Sequence, residues 1–167
     1  MLFRSVIAGG RTVTFRELDQ LSDRYAHALA KAGIRRGERT LLMVRAGVDL
    51  ISVAYAMMKA GVPPVLIDPG MGVSAFLRCV RDLGPTAMVG IPLAHALRVF
   101  NPGAFRSVER HITVGTRWFW GGPTLAGLAT ENAPYPLAET ADGDEAAVLF
   151  TSGSTGPAKG VVYTHGM

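Results

Sequence analysis

The sequence predicts an α/β fold with a mainly parallel sheet and helices on both faces, and three observations carry that reading. Short β-prone apolar runs alternate with segments of helical periodicity over the first two-thirds of the 167 residues. Twenty glycines and ten prolines punctuate the chain and mark many short elements joined by tight turns. The composition, 49% hydrophobic and 18% charged, provides a sizeable core and excludes a disordered chain.

The elements follow in order. Residues 11–14 form a short strand signal. Thr14-Phe15-Arg16-Glu17 then fits a capping box, with a hydroxyl acceptor and a glutamate three residues on to reach back. The helix it opens sets Leu18, Leu21, Tyr25, Ala28, Leu29 and Ala32 on one face, and Gly33 ends it. Residues 40–44 read as a buried strand. Residues 49–60 read as a helix that is apolar almost all round, which predicts burial on more than one side. Val65-Leu66-Ile67 is the next strand, and it runs into the turn signal Asp68-Pro69-Gly70. A helix over 74–83 stops at Gly84-Pro85. A strand over 87–91, a helix over 94–100 and a weaker strand at 112–114 complete the alternation. Right-handed crossovers would place the helices on both faces. Residues 121–143, with Pro123, Pro134 and Pro136, break the rhythm and read as a surface connection. No internal repeat stands out.

Charge and cysteine content remove several classes. Residues 1–117 hold 16 of the 17 Lys and Arg and 8 of the 13 Asp and Glu, and the later residues are net acidic. The arginines are scattered singly or in pairs, which reads as a solvated basic surface rather than a nucleic-acid site. No stretch free of Asp, Glu, Lys and Arg, neither the apolar 50–58 nor the longest, 83–97, is long enough for a membrane span, and the opening residues lack the layout of a secretory signal. A single cysteine, Cys79, excludes a disulfide framework and a cysteine-based zinc site.

The strongest chemical signal lies near the end of the chain. A β-prone run, 146–150, leads into Thr151-Ser152-Gly153-Ser154-Thr155-Gly156-Pro157-Ala158-Lys159-Gly160, and a second β-prone run, Val161-Val162-Tyr163, follows. Gly153, Gly156 and Gly160 allow sharp turns and close approach of backbone to a ligand. Consecutive N–H groups in such a turn make an anion-binding concavity. The hydroxyls of Thr151, Ser152, Ser154 and Thr155 add donors, and Lys159 adds a mobile cation. These groups suit a polyphosphate. The spacing is not that of a Walker A loop, because Lys159 precedes glycine rather than Ser or Thr. The plainer alternative is a polar hairpin loop.

These residues carry a resemblance. The run from Phe150 to Val161 resembles the signature phosphate loop of the adenylate-forming superfamily, which includes acyl-CoA synthetases, peptide-synthetase adenylation domains and luciferases. Upstream, Val13-Thr14-Phe15-Arg16-Glu17-Leu18 resembles that family's early motif. The run Met58-Lys59-Ala60-Gly61-Val62-Pro63-Pro64-Val65-Leu66-Ile67-Asp68-Pro69 resembles its Lys-Ala-Gly motif. Two departures stand out: Ala158 occupies the position where the family usually has proline, and Met71 and Gly72 follow Asp68-Pro69-Gly70 where many relatives carry a bulkier residue and a second proline. In wording the motifs are similar to those of the β-lactone synthetases of bacterial long-chain olefin biosynthesis.

The resemblance implies a cytoplasmic ligase that uses ATP and Mg²⁺ to activate a fatty or 3-hydroxy fatty acid as an acyl-adenylate. It implies that Thr151, Ser152, Gly153, Ser154, Thr155, Gly156 and Lys159 bind the phosphates, with Ser154 or Thr155 near the metal. It implies that residues 1–167 are a partial N-terminal AMP-binding domain that holds no catalytic residue and is inactive by itself. The alternatives are a fatty acyl-CoA ligase fragment and a non-catalytic nucleotide- or partner-binding module. Other residues read more plainly. His165 either lines the acyl or nucleotide pocket or is a polar residue at a helix start. His95 and His111 read as structural or surface histidines, Cys79 as packing, and Asp68 as the cap of a strand-ending turn. Trp118-Phe119-Trp120 reads as an anchor of a loop on the core, with a lipid-facing wall as the alternative.

Overall fold

The computed structural model describes residues 5–8, 11–151 and 159–167. A small antiparallel pair, β1 (Ser5–Ala8) and β2 (Arg11–Thr14), leads into α1 (Phe15–Lys31). Then come β3 (Thr40–Met43), α2 (Val48–Lys59), β4 (Pro64–Ile67), α3 (Val73–Leu83), β5 (Ala87–Gly90), α4 (Pro92–Phe100) and β6 (Arg110–Thr113). A single helical turn, α5 (Leu125–Leu128), precedes the hairpin of β7 (Glu145–Thr151) and β8 (Lys159–Thr164).

The main sheet runs β6-β5-β3-β4-β7-β8, and every pairing is parallel except β7 with β8. Alternation along the strands divides the core in two. Leu42, Ala87, Val89 and Ile112 face α1, α2 and α5 in one cluster. Leu41, Val65, Ile67, Met88 and Val148 face α3 and α4 in the other. The chain steps from β3 to β4 in one direction, with α2 on the first face. It returns to β5 and β6 in the opposite direction, with α3 and α4 on the second. Reversing direction and face together keeps the crossovers of one hand, as right-handed connections require.

Local chemistry sets the ends of the first two helices. Thr14 Oγ1 accepts from the Glu17 N–H at 3.2 Å, and the Thr14 N–H donates to the Glu17 carboxylate at 2.8 Å. The expected capping box is therefore closed on both sides. At the other end of α1, the N–H groups of Gly33 and Ile34 reach back to Ala30 and Leu29. Gly61 and Val62 close α2 in the same way on Met58 and Met57. Both glycines hold positive φ, +78° and +64°, which an L side chain would strain.

Two expectations need correction. Helix α2 buries Val53, Ala56 and Met57 but leaves Tyr55 and Met58 half-exposed. Its apolar surround reflects composition, and one side faces outward. The connection 121–143 is also not wholly at the surface, because Leu125 and Ala129 are buried in the first core cluster against α1.

Candidate functional site

The two ends of the parallel sheet differ in kind. At the amino end, ion pairs tie distant segments together. Arg39 grips Glu145 with two hydrogen bonds, Arg36 meets Asp144 at 2.9 Å, and Arg110 donates to both Glu38 oxygens at 3.0 Å. Lys59, at the end of α2, sits 2.6 Å from both Asp19 and Asp23 on α1. Burial works against its charge, but the hydrogen bonds to the two aspartates outweigh it and raise its pKa. The Glu145 carboxyl is held below its usual range, first by the hydrogen bond from Arg39. Two of the five late acidic residues, Asp144 and Glu145, are thus partners of early arginines, and a third, Glu131, lies 3.7 Å from Lys31.

The carboxyl end gathers the turns. Strand β4 lies beside β7 in the register Ile67 to Phe150, so Asp68-Pro69-Gly70 and the phosphate-loop segment leave the sheet side by side. The Asp68 N–H reaches the Phe150 carbonyl at 3.3 Å, and the Asp68 carboxylate accepts from the Gly70 N–H at 2.8 Å, as a turn cap should. Thr151 pairs with Lys159 to close the hairpin. Of the residues expected to bind phosphate, Ser152, Gly153, Ser154, Thr155 and Gly156 lie outside the described residues. Thr151 ends β7, and Lys159 opens β8 as an exposed residue.

Gly160 has a different task from the one its motif suggests. It stands opposite Phe150, and a Cβ there would come within 2.7 Å of the Phe150 ring. Its smallness makes room for a cross-strand ring. His165 also moves out of the site. Strand β8 runs back toward the amino end of the sheet, about 20 Å over six residues, and the His165 N–H bonds to the Asp144 carbonyl there. The pocket-lining reading of His165 is overturned among the described residues.

A cleft of about 470 Å³ opens at the carboxyl ends of β3, β5 and β6, lined by Arg45, Gly47, Asp49, Leu93, Thr116 and Trp118 among others. The sequence analysis did not single it out, because it assembles from three separate turns. Crevices at this end of an open parallel sheet are where such folds take ligands. Among the described residues, no three His, Cys, Asp or Glu side chains cluster to hold a metal. No helix of the described residues is long and apolar enough to cross a membrane.

His95 is fully buried, with Nε2 3.1 Å from the Ile112 carbonyl, and burial lowers its pKa. His111 lies 5.6 Å away, ring to ring, and its pKa falls to about 4 through burial, then Arg98 and His95. Both are structural, as expected. Cys79 packs in the second core cluster, and burial raises its pKa. The aromatic trio divides. Trp120 is half-buried and held by two hydrogen bonds to α4, while Trp118 and Phe119 face outward.

Residues 3–167 match the model of the AMP-binding enzyme family. The chain is 46% identical over 156 residues to the olefin beta-lactone synthetase of Stenotrophomonas maltophilia, covering 92% of this chain and 28% of that protein. The Xanthomonas campestris olefin beta-lactone synthetase matches at the same identity and coverage. The long-chain-fatty-acid–CoA ligase FadD13 of Mycobacterium tuberculosis is 27% identical, over 92% of this chain and 30% of its own length. The chain thus spans less than a third of the curated relatives it matches. The anthranilate CoA ligase AuaEII, solved with anthranoyl-AMP, shares the fold at a TM-score of 0.82 and 20% identity, over 94% of this chain and 30% of that one.

Proposed function

We propose that this chain, which belongs to the AMP-binding enzyme family, forms the leading part, residues 1–167, of the large domain of a cytoplasmic ATP-dependent ligase. The ligase activates a fatty or 3-hydroxy fatty acid as its acyl-adenylate. The observation that carries the reading is the β7–β8 hairpin. Its Ser-, Thr- and Gly-rich connection leaves the carboxyl end of a parallel strand, next to the Asp68 turn, where an open α/β sheet takes its ligands.

In this reading the connection from Thr151 to Lys159 holds the β- and γ-phosphates of ATP. Backbone N–H groups and short hydroxyls surround them, and Lys159 adds a charge that its exposed position on β8 leaves free to swing. The substrate carboxylate attacks the α-phosphorus and pyrophosphate leaves. The protein's part is to hold these groups in line and offset the charge. When bound, Mg²⁺ would neutralise phosphate charge, with Ser154 and Thr155 as the hydroxyls nominated to lie near it.

The second step divides two readings. Either the substrate's own 3-hydroxyl attacks the activated carbonyl, closing a β-lactone as AMP leaves, or a coenzyme A thiol does so. The identity of 46% to the olefin beta-lactone synthetases, against 27% to a fatty-acid–CoA ligase, supports lactone closure. Pyrophosphate release by the full-length gene product, with 3-hydroxy and plain fatty acids, with and without coenzyme A, tests this. We expect release with the 3-hydroxy acid and no need for coenzyme A. In the same assay Lys159→Ala should lower kcat/KM for ATP about tenfold or more. Unchanged ATP kinetics in that variant would remove the loop assignment, and strict dependence on coenzyme A would remove lactone closure.

A further inference from the structure

The neck of the β7–β8 hairpin is closed by one ring and one missing side chain. Phe150 and Gly160 are partners across the two strands, and the next pair outward, Thr151 with Lys159, is the last before the connection. Directly opposed residues share a face of the sheet, and Ile67 of β4 stands level with Phe150 on its other side. The row Ile67, Phe150, Gly160 therefore runs across three strands on one face. Ile67 is buried, and Phe150 packs against the second core cluster. The tip of the Phe150 ring lies over Gly160: a Cβ at residue 160 would meet its Cζ, Cε1 and Cε2 atoms at 2.7, 3.0 and 3.0 Å. The ring thus fills the place that a side chain at 160 would take, the kind of close approach that a glycine inside a strand often marks. Gly160 does not hold a left-handed φ, so its backbone asks for no glycine, and what it supplies is the absent Cβ. The ring has little freedom to give way. Retreat would crowd Ile67 and the core, and swinging outward would strip the ring of its packing. The backbone is held as well, because the Phe150 carbonyl accepts from the Asp68 N–H at 3.3 Å.

We infer that Phe150 and Gly160 are positioning residues for ATP: the ring seated over the bare glycine fixes the spacing of β7 and β8 at the neck and so sets where Thr151 and Lys159 stand. The inference rests on the phosphate-binding reading proposed above and adds to it what holds the two ends of the connection. A side chain at 160 must push β8 away from β7, and Lys159 is the adjoining residue on the displaced strand. Misplacing a positioning group by about 1 Å can cost about a hundredfold in rate. Phe150 and Gly160 act through Thr151 and Lys159, and neither is asked to touch ATP.

The test follows ATP-dependent pyrophosphate release by the full-length gene product in Gly160→Ala, in Phe150→Leu and in the two combined. We expect Gly160→Ala to raise KM for ATP about tenfold, with kcat within about threefold of wild type and KM for the acid unchanged. Phe150→Leu removes the ring tip without adding a clash, and the loosened neck should raise KM for ATP about threefold. In the double variant the new Cβ meets no ring, so KM for ATP should fall back from the Gly160→Ala value to that of Phe150→Leu. Such a rescue is not expected of a glycine that ATP itself approaches. Should Gly160→Ala fail to fold, Phe150→Leu alone still reads the neck. Two results overturn the inference: wild-type KM for ATP in both single variants, or a rise in Gly160→Ala that the added Phe150→Leu leaves in place. Lys159→Ala, measured alongside, separates this failure from that of the underlying reading. Impaired ATP kinetics in Lys159→Ala with wild-type kinetics in both neck variants would remove the positioning inference alone. Wild-type kinetics in Lys159→Ala would remove the phosphate-binding reading and this inference with it.

Discussion

The amino end of the sheet is tied down by charge, and the carboxyl end is left open. At the amino end Arg36, Arg39, Lys59 and Arg110 each meet a carboxylate from a distant segment. At the carboxyl end stand the Asp68 turn, the cleft beside Arg45, the bare aromatic rings and the exposed Lys159. The same residue type therefore meets opposite surroundings. Lys59 at the closed end is ion-paired, and Lys159 at the open end is exposed, as the proposed phosphate-binding role requires.

The sharpest way to break this contrast is to remove Lys59. Its side chain is 14% exposed and that of Asp23 is 12% exposed, so Lys59→Met leaves a carboxylate nearly out of water with its cation gone. Loss of one partner of such a pair costs about 3 kcal/mol or more. We expect a fall in the urea unfolding midpoint of the full-length protein that matches this. Lys59→Met with Asp23→Leu should recover much of it. Equal midpoints for wild type and Lys59→Met would show that the closed end is not held by this pair.

Acid should act on the open end, through the histidines beneath the aromatic loop. The folded-state pKa of His111 is about 4 against an unfolded 6.5, so the unfolded chain binds the proton more readily. Stability is then fully present above pH 6.5 and is lost as pH falls through 4. The 2.5-unit gap corresponds to at most about 3 kcal/mol, trimmed because His111 keeps some contact with water. His95, shifted in the same direction, adds to the slope. Chemical denaturation between pH 7 and pH 4.5 measures it. His111→Gln should flatten the slope. An equally steep slope in that variant would place the acid sensitivity elsewhere.

Much of this contrast was legible in the sequence, and the missing part has a physical cause. Element order, the Thr14 capping box and the Gly33 and Gly61 stops are local, so a window of a few residues contains all the partners. The ion pairs are not local. Arg39 and Glu145 stand 106 residues apart, and no periodicity reveals that they meet. The role of Gly160 depends on its register against Phe150, which is fixed only when β7 and β8 pair. The exposed side of α2 was hidden for a similar reason, since Tyr55 and Met58 look like core until the sheet occupies the opposite side. For the proposed phosphate-binding set, the motif located the two strands that flank it. The fate of His165 required the direction of β8.

The smallest expected effect on stability is also the most discriminating. Thr14→Ala removes the N-cap acceptor of α1 and should cost about 1 kcal/mol. Lys159→Ala should cost less than about 0.5 kcal/mol, because the side chain is exposed at the start of an edge strand and, among the described residues, has no ion-pair partner. Measured side by side in urea, Thr14→Ala should move the midpoint visibly and Lys159→Ala should not. If Lys159→Ala proved as destabilising as Thr14→Ala, the lysine would be part of the hairpin's packing, and loss of ATP use in that variant would no longer report on phosphate binding. A silent midpoint leaves that kinetic loss with a single cause, the charge that an open sheet end holds ready for its ligand.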